Sequence, residues 1–389
     1  MLSPIRAYFD EALKGNSSWW TWLAGFWAAV MVWFFASAIL GIPMFGFMAL
    51  ADPDSMSEMM QKMMSETPET SGLEDALIAS SFALPFIVVI LFLLRNKLPA
   101  GARKVAMSIA GLLALLSFAG LILQMVKTPA GANQMLTDFI PKSAGVYASM
   151  LLTFPPMIFG LWIAVKVIHK RGFKTLMTAH THFRWARVFQ SMAVFWAIAG
   201  TMTLVSHFMG FNKVEGVFDG SKFFLYAALS LALIPLQSAT EEIMLRGYLN
   251  QGLGKYIRNP WIVFFITSAM FASLHLGNPE AAEGAASGKL FITMLSYFAF
   301  GMFACILTYI DGGLESAIGV HAANNLYASI LLGYDNSALP TPTVFKTGLN
   351  ANTDFIFTLL TLSLVCLILW KFKKPLIVDA PVTTANAFN

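Results

Sequence analysis

Long runs of apolar residues, separated by short polar turns, occupy most of this 389-residue chain. Ten of the runs approach the length of about 20 residues that a helix needs to cross a bilayer. They lie at about 19–48, 76–94, 105–126, 144–166, 188–210, 223–245, 261–276, 290–310, 314–333 and 354–370. The pattern therefore predicts an all-α protein, a polytopic bundle of about ten transmembrane helices.

Composition supports a membrane protein with little mass outside the bilayer. Apolar residues make up 57% of the chain and charged residues only 12%, whereas a soluble domain is usually about 25% charged. We therefore predict a multi-pass integral membrane protein that contacts membrane lipids, in the cell or inner membrane if the source is bacterial. The formal net charge of +4 is modest and predicts no nucleic-acid partner.

Lysine and arginine cluster in alternate turns between the apolar runs. Basic residues precede the first run and follow the second, fourth, sixth and tenth, and the intervening turns hold acidic or mixed charge. Because Lys and Arg concentrate on the cytoplasmic side, both termini are predicted to be cytoplasmic and the number of spans even. The basic segment from His169 to Arg187 fits a patch that faces lipid headgroups.

Ionisable residues at membrane depth divide the chain into regions. The spans before residue 188 almost lack them, whereas three later spans carry polar residues. We predict an N-terminal membrane region of about four spans (1–187), a core that carries the chemistry (188–333), and a last span with a cytoplasmic tail (334–389).

The stretch around Glu241 and Glu242 puts two adjacent carboxylates and an arginine at the end of an apolar run. Charges at this depth usually face a partner or a water-filled cavity. Glu242 and Arg246 form an i,i+4 pair that can neutralise itself. Glu241, about 100° away around the helix, has no cation near it in sequence and is a candidate general base. A salt-bridged helix end at the cytoplasmic surface is the structural alternative.

Two further polar sites lie on later apolar runs. His275 alone would be an ordinary packing histidine. His321 and Asn325 are one helical turn apart and share a face, and both can donate hydrogen bonds to a developing oxyanion. Together with Glu241 they supply what a hydrolytic site needs. The HExxH and GxSxG patterns are absent from the sequence, so neither that zinc motif nor that serine motif is indicated.

The distance of His275 along its helix sets the depth in the bilayer at which these residues can meet. His275 lies sixteen residues past Asn259, about 24 Å along a helix, so Glu241 must lie well inside the bilayer to approach it. We therefore predict that the helix of Glu241 continues past Arg246 to Leu249 or beyond.

Three motifs in series resemble a known family. Glu241-Glu242-Ile-Met-Leu-Arg246-Gly247, Phe271 to His275 and His321 to Asn325 match, in order and spacing, the EExxxRG, FxxxH and HxxxN motifs of the CPBP family. This family includes type II CAAX prenyl proteases and bacteriocin-processing or bacteriocin-immunity membrane proteins. The resemblance covers roughly residues 188–333 and implies an all-helical intramembrane endopeptidase. Leu245 departs from the pattern, since an aromatic residue often precedes the arginine.

The resemblance also implies a role for each residue. Glu241 would be the general base that activates water, His275 would help to hold that water, and His321 with Asn325 would stabilise the oxyanion. Glu242 and Arg246 would be supporting or structural residues of the site. The family is described as metalloproteases and, in its eukaryotic branch, as glutamate-dependent without a catalytic metal. If a divalent metal such as zinc is used, its predicted ligands are Glu241, His275 and His321.

The predicted function is hydrolysis of a peptide bond in a membrane-associated peptide or lipidated protein near the cytoplasmic side of the membrane. Processing of prenylated CAAX proteins is one biological role that fits this reaction. In an organism without prenylated proteins, the corresponding role is peptide maturation or bacteriocin self-immunity. The alternative from another class is a non-catalytic scaffold or transporter that keeps the polar cluster for helix packing.

Overall fold

A computed structural model describes residues 3–65, 72–127, 130–131, 133–373 and 375–376. They form, in chain order, the helices α1 (Pro4–Asp10), α2 (Trp19–Ala51), α3 (Pro53–Ser65), α4 (Gly72–Leu94), α5 (Ala100–Lys127), α6 (Gln134–Thr137), α7 (Ala144–Leu152), α8 (Pro155–Ile163), α9 (Lys174–Met177), α10 (Trp185–Phe208), α11 (Gly220–Glu242), α12 (Asn250–Tyr256), α13 (Pro260–Leu274), α14 (Pro279–Ala286), α15 (Leu290–Asp311), α16 (Glu315–Leu326) and α17 (Ala351–Lys371). The predicted all-α class is confirmed. Most of the predicted tail, residues 377–389, lies outside the described residues.

Short irregular helices and one small sheet complete the fold. The 3₁₀ segments are Glu11–Lys14 and Arg95–Lys97, and the π-helical segments are Ala164–Ile168, Ile243–Leu249 and Tyr327–Leu331. The strands are β1 (Val214–Gly216), β2 (Leu332–Tyr334) and β3 (Phe345–Thr347). Their order is β1-β3-β2, with β1 antiparallel and β2 parallel to β3. The sheet joins the connection before α11 to the one before α17.

Seven helices in the described part of the chain are long and apolar enough to cross a membrane, and nine if two bent helix pairs each count as one span. The seven are Trp19–Ala51, Ala100–Leu121, Ala144–Ile168, Trp185–Phe208, Gly220–Tyr256, Leu290–Asp311 and Ala351–Lys371. Their outer faces expose large apolar side chains such as Ile39, Leu115 and Phe224, which suits contact with lipid tails. The chain is an integral, multi-pass membrane protein.

The count differs from the ten predicted spans because the run at 314–333 forms a buried helix. Its helix α16 has 12 residues, about 18 Å in length, which is short against a hydrocarbon core of about 30 Å. Ten of those residues are buried, and α16 packs against α10, α11 and α15. The helix therefore carries its polar residues inside the bundle, away from lipid.

The helix that carries Glu241 is longer than its apolar run. It extends from Gly220 to Tyr256 over 37 residues, through α11, the π-helical segment Ile243–Leu249 and α12. Glu241 lies near its middle, and the predicted continuation past Arg246, to Leu249 or beyond, is confirmed.

Several residues of the basic segment from His169 to Arg187 are buried, so the predicted lipid-facing patch is wrong for Arg171 and Arg187. Arg171 is 5% exposed, and its guanidinium donates to the Glu11 carbonyl at 3.0 Å. Arg187 pairs with Asp311 at 2.9 Å, and Arg184 pairs with the fully buried Glu315 at 3.0 Å. Each of these partners stands more than a hundred residues away in sequence, so local charge counting missed them.

His169 in the same segment makes stability depend on pH. It is fully buried, with Nδ1 2.7 Å from the Asn16 carbonyl oxygen and Nε2 2.8 Å from the Tyr248 hydroxyl. Burial lowers the pKa of His169 from 6.5 to about 4. The unfolded chain therefore binds this proton at a higher pH than the folded protein does. We expect His169 to remove about 2 kcal/mol of unfolding free energy between pH 7 and pH 5.

Unfolding of purified protein in detergent at pH 7 and pH 5 tests this expectation. His169→Gln should reduce the loss of stability on acidification, whereas His182→Gln, at an exposed position, should leave it unchanged. Part of the loss should remain in His169→Gln, because burial also lowers the pKa of His180. An equal loss in wild type and His169→Gln would contradict the assignment.

Candidate active site

The long central helix changes geometry directly after its two glutamates. α11 ends at Glu242, and the next seven residues, Ile243–Leu249, form π-helical turns, which are frequent at functional sites. Within them Gly247 lies against the backbone of α9, where an added Cβ would come within 3.0 Å of the Leu176 carbonyl oxygen. This close approach favours glycine, and the adjacent Arg246 is fully buried.

Glu242 is fully buried and holds two partners through one oxygen. Its Oε1 accepts a hydrogen bond from Arg246 Nη1 at 3.2 Å and another from His321 Nδ1 at 2.7 Å. The ion pair expected from the i,i+4 spacing is present, and the bond to His321 links the first motif to the third. Arg246 also lies 4.6 Å from the centroid of the Phe271 ring, a cation–π contact with the second motif.

Glu241 faces the same histidine from another side. Its Oε1 accepts a hydrogen bond from Gln237 Nε2. Its Oε2 is buried without a hydrogen-bond partner in the described part of the chain and lies 3.8 Å from His321 Nε2. That separation is too long for a direct hydrogen bond, and a water molecule can bridge polar groups across such a gap. One carboxylate oxygen is therefore free to act on water.

Gln237 connects Glu241 to the amide of the third motif. While its Nε2 donates to Glu241, its Oε1 accepts from Asn325 Nδ2 at 3.0 Å and from Ser238 Oγ at 3.1 Å. An amide NH₂ has two donors, so Asn325 retains a second N–H. Sequence reasoning missed Gln237, although its position four residues before Glu241 on the same helix face was a usable signal.

His275 joins the site through aromatic rings. It directly follows α13, and its Nδ1 lies 2.7 Å from the Phe271 carbonyl oxygen. Its ring lies 4.4 Å from the centroids of both Phe271 and Tyr297. Phe271 in turn meets His321 edge-on at 5.8 Å. Phe271 therefore contacts residues of all three motifs.

The acceptors determine which ring nitrogen of each histidine carries a proton. A carbonyl and a carboxylate beside an arginine only accept hydrogen bonds, so Nδ1 is the donor in both His275 and His321. Nε2 of a neutral ring is then an acceptor that can hold a water hydrogen. Nε2 of a protonated ring is a donor that can stabilise an oxyanion.

Known proteins with a similar sequence identify the family. A family model described as type II CAAX prenyl endopeptidase Rce1-like matches residues 220–327. The uncharacterized protein YyaK of Bacillus subtilis (strain 168) is 30% identical over 221 residues, which cover 55% of this chain and 72% of that protein. The chain belongs to the Rce1-like family. No solved structure matches it.

Membership of the Rce1-like family confirms the predicted CPBP-type resemblance and makes this chain a member of a family of membrane peptidases. The match extends from the start of α11 to the residue after α16. It contains every residue predicted for the site, namely Glu241, Glu242, Arg246, His275, His321 and Asn325. It also contains Gln237, Phe271 and Tyr297.

The residues proposed as zinc ligands do not fit a metal site in this arrangement. Zinc binds nitrogen and oxygen ligands at about 2.0–2.2 Å, so three ligands must converge on one point. Within the described residues, no three His, Cys, Asp or Glu side chains are grouped in this way.

A second polar cluster lies behind His275 in this Rce1-like protein. Glu280, which follows the 86° bend between α13 and α14, accepts hydrogen bonds from the Tyr334 hydroxyl and the Ala338 amide, both at 2.9 Å. The Tyr297 hydroxyl accepts from Asn278 Nδ2 at 3.3 Å. The bend that begins at His275 is therefore tied to β2 through Tyr334 and to the connection after β2 through Ala338. Nothing in the local sequence pattern indicated these contacts.

Proposed function

We propose that this Rce1-like protein is an intramembrane endopeptidase in which Glu241 activates a water molecule. The observation that carries the proposal is the free, buried Oε2 of Glu241, 3.8 Å from His321 Nε2 and near the middle of a membrane-crossing helix. A carboxylate oxygen at this depth that accepts no hydrogen bond from the described residues suits proton abstraction.

In the proposed reaction, Glu241 Oε2 takes a proton from the bound water while the water oxygen bonds to the carbonyl carbon of the substrate. Nε2 of neutral His275 accepts the other hydrogen bond of that water and so orients it. The tetrahedral intermediate then expels the amine as the carbon–nitrogen bond breaks. Glu241 returns its proton to the leaving nitrogen, so the carboxylate is regenerated and the proton count balances.

The oxyanion of this intermediate would be stabilised by His321 and Asn325. Asn325 has one N–H left after its bond to Gln237, and His321 presents Nε2 to the same space as Glu241. For His321 to donate there, its ring must be protonated, because Nδ1 already donates to Glu242. Glu242 stabilises such an imidazolium at 2.7 Å, which gives this buried carboxylate a role in the proposed chemistry.

The substrate class follows from the family and from the position of the site. The family description names prenylated CAAX proteins, and a site within helices that cross the bilayer favours a substrate that is itself held in the membrane. We infer that the substrate is a peptide or protein C-terminus with a lipid or apolar anchor.

Paired reporter peptides test the function. Purified full-length protein in lipid nanodiscs should cleave a peptide that ends in a prenylated cysteine and three further residues, or a membrane-spanning peptide, with products identified by mass spectrometry. The unprenylated form of the first peptide shows whether the lipid is required. If a known protease cleaves these reporters under the same conditions and this protein cleaves none, the non-catalytic scaffold or self-immunity alternative is favoured.

Removal of metal ions should leave the activity unchanged. The predicted ligands do not converge on one point within the described residues, so we expect equal cleavage rates before and after exhaustive treatment with a strong chelator. Metal content should be measured on the same samples by elemental analysis. Loss of activity on chelation, with recovery on addition of zinc, would contradict this expectation and support a metallopeptidase.

A further inference from the structure

A cavity of about 420 Å³ lies away from the active site, among residues before and at the start of α2, the 3₁₀ segment after α4 and the start of α5. Seven of its nine lining residues are polar or basic, and the other two are Trp20 and Met107. The residues that matter here are Ser18, Trp20, Arg95, Asn96, Arg103 and Lys104.

The three cations of this cavity are not paired with carboxylates in the described part of the chain. Arg95, Arg103 and Lys104 form no ion pair with any residue that the structure describes. This differs from the cations near α10, where Arg184 and Arg187 are neutralised by carboxylates. Three uncompensated positive charges around one concave space favour an anionic ligand.

Backbone dipoles add to this positive potential. Ser18 is the N-cap residue of α2, and its side chain makes no capping hydrogen bond. α5 begins at Ala100, so Arg103 and Lys104 lie in its first turns. The two helices have 33 and 28 residues, and the N-terminus of a long helix attracts anions through its dipole and free N–H groups.

The remaining contacts suit a ligand at the membrane surface. The Arg95 guanidinium lies 3.7 Å from the Phe92 ring centroid and 5.4 Å from that of Trp20, so its planar group is held at the cavity wall. Tryptophan is enriched where the bilayer meets water. Asn96 and Ser18 supply further hydrogen-bond donors.

We propose that this cavity binds a phosphate group, carried either by an anionic phospholipid headgroup or by a soluble phosphate compound. The chemistry is shared: guanidinium and ammonium groups, amide and hydroxyl donors and two helix N-termini all complement phosphate oxygens. The proposal is independent of the peptidase reaction, because none of these residues belongs to the active site.

Native mass spectrometry of the full-length protein in detergent tests the proposal. Three probes are titrated separately: short-chain phosphatidylglycerol, short-chain phosphatidylcholine and inorganic phosphate. Arg103→Gln/Lys104→Gln removes two cations of the cavity. Lys97→Gln/Arg258→Gln removes two exposed cations that do not line it and is the matched control for net charge.

We expect wild type and the control to retain one phosphatidylglycerol, and the cavity variant to bind it at least about tenfold more weakly. Retention of phosphatidylglycerol without inorganic phosphate identifies a lipid site, and retention of inorganic phosphate identifies a site for soluble phosphate. Equal binding of phosphatidylglycerol and phosphatidylcholine without phosphate binding, or an equal loss in both double variants, would overturn the proposal. Matching melting temperatures without ligand show that the variants are folded.

Discussion

Replacement of Glu241 by glutamine is expected to slow peptide cleavage by at least about 10²–10⁴-fold, the usual contribution of a general base. Glutamine has nearly the same shape and keeps an oxygen that can accept the hydrogen bond from Gln237, but it takes up no proton. The rate should be measured on a reporter that the wild type cleaves, with protein in the same lipid nanodiscs.

The unfolding temperature of Glu241→Gln shows whether activity is lost with the general base or through damage to the fold. Since Glu241→Gln removes a charge from the membrane interior, its unfolding temperature should equal or exceed that of wild type. Glu58→Gln, at an exposed position, makes the same chemical change elsewhere and should retain full activity. A wild-type cleavage rate in Glu241→Gln would refute the proposed mechanism, even if the protein remains a peptidase.

Replacement of Arg246 by methionine is expected to lower the free energy of unfolding by about 3–5 kcal/mol, because it leaves the buried carboxylate of Glu242 without its guanidinium. Arg246 and Glu242 both have 0% exposed side chains and lie 3.2 Å apart. Unfolding of the purified protein in mixed detergent micelles measures the change.

A compensating variant shows whether charge is the cause. Glu242→Gln/Arg246→Met removes both charges and keeps an acceptor for His321 Nδ1, so most of the lost stability should return. Lys213→Met breaks the Lys213–Glu215 pair, whose side chains are 80% and 58% exposed, and should have no measurable effect. A double variant as unstable as Arg246→Met would show that methionine packing, rather than the unpaired carboxylate, is responsible.

The predicted site residues could be found from sequence because each stands out against its surroundings. A carboxylate or imidazole in an apolar run is costly, and helical spacing places Glu242 beside Arg246 and His321 beside Asn325. The structure brings Glu241, Glu242 and His321 into contact, and Gln237 adds Asn325 to them. Their catalytic roles remain proposals for the experiments above.

Contacts between distant segments were beyond such reasoning. The hydrogen bond from His321 to Glu242 spans 79 residues. The contacts of Glu280 to Tyr334 in β2 and to Ala338 after it span more than fifty residues. A histidine next to several lysines and arginines is expected to be exposed. His169 is instead buried between Asn16, in the N-terminal segment, and Tyr248, in the π-helical segment Ile243–Leu249. No local periodicity encodes these pairings, because they depend on how helices pack.

The sequence by itself determined that this is a helical membrane protein of the Rce1-like type, since apolar length and motif spacing are local properties. Tertiary structure decided that α16 is a buried helix, because its neighbours α10, α11 and α15 cover it. It also decided that the adjacent glutamates divide their roles around one histidine: Glu242 holds Nδ1 and Glu241 faces Nε2. That geometry exists only once α11 and α16 pack together, because His321 reaches both carboxylates from another helix.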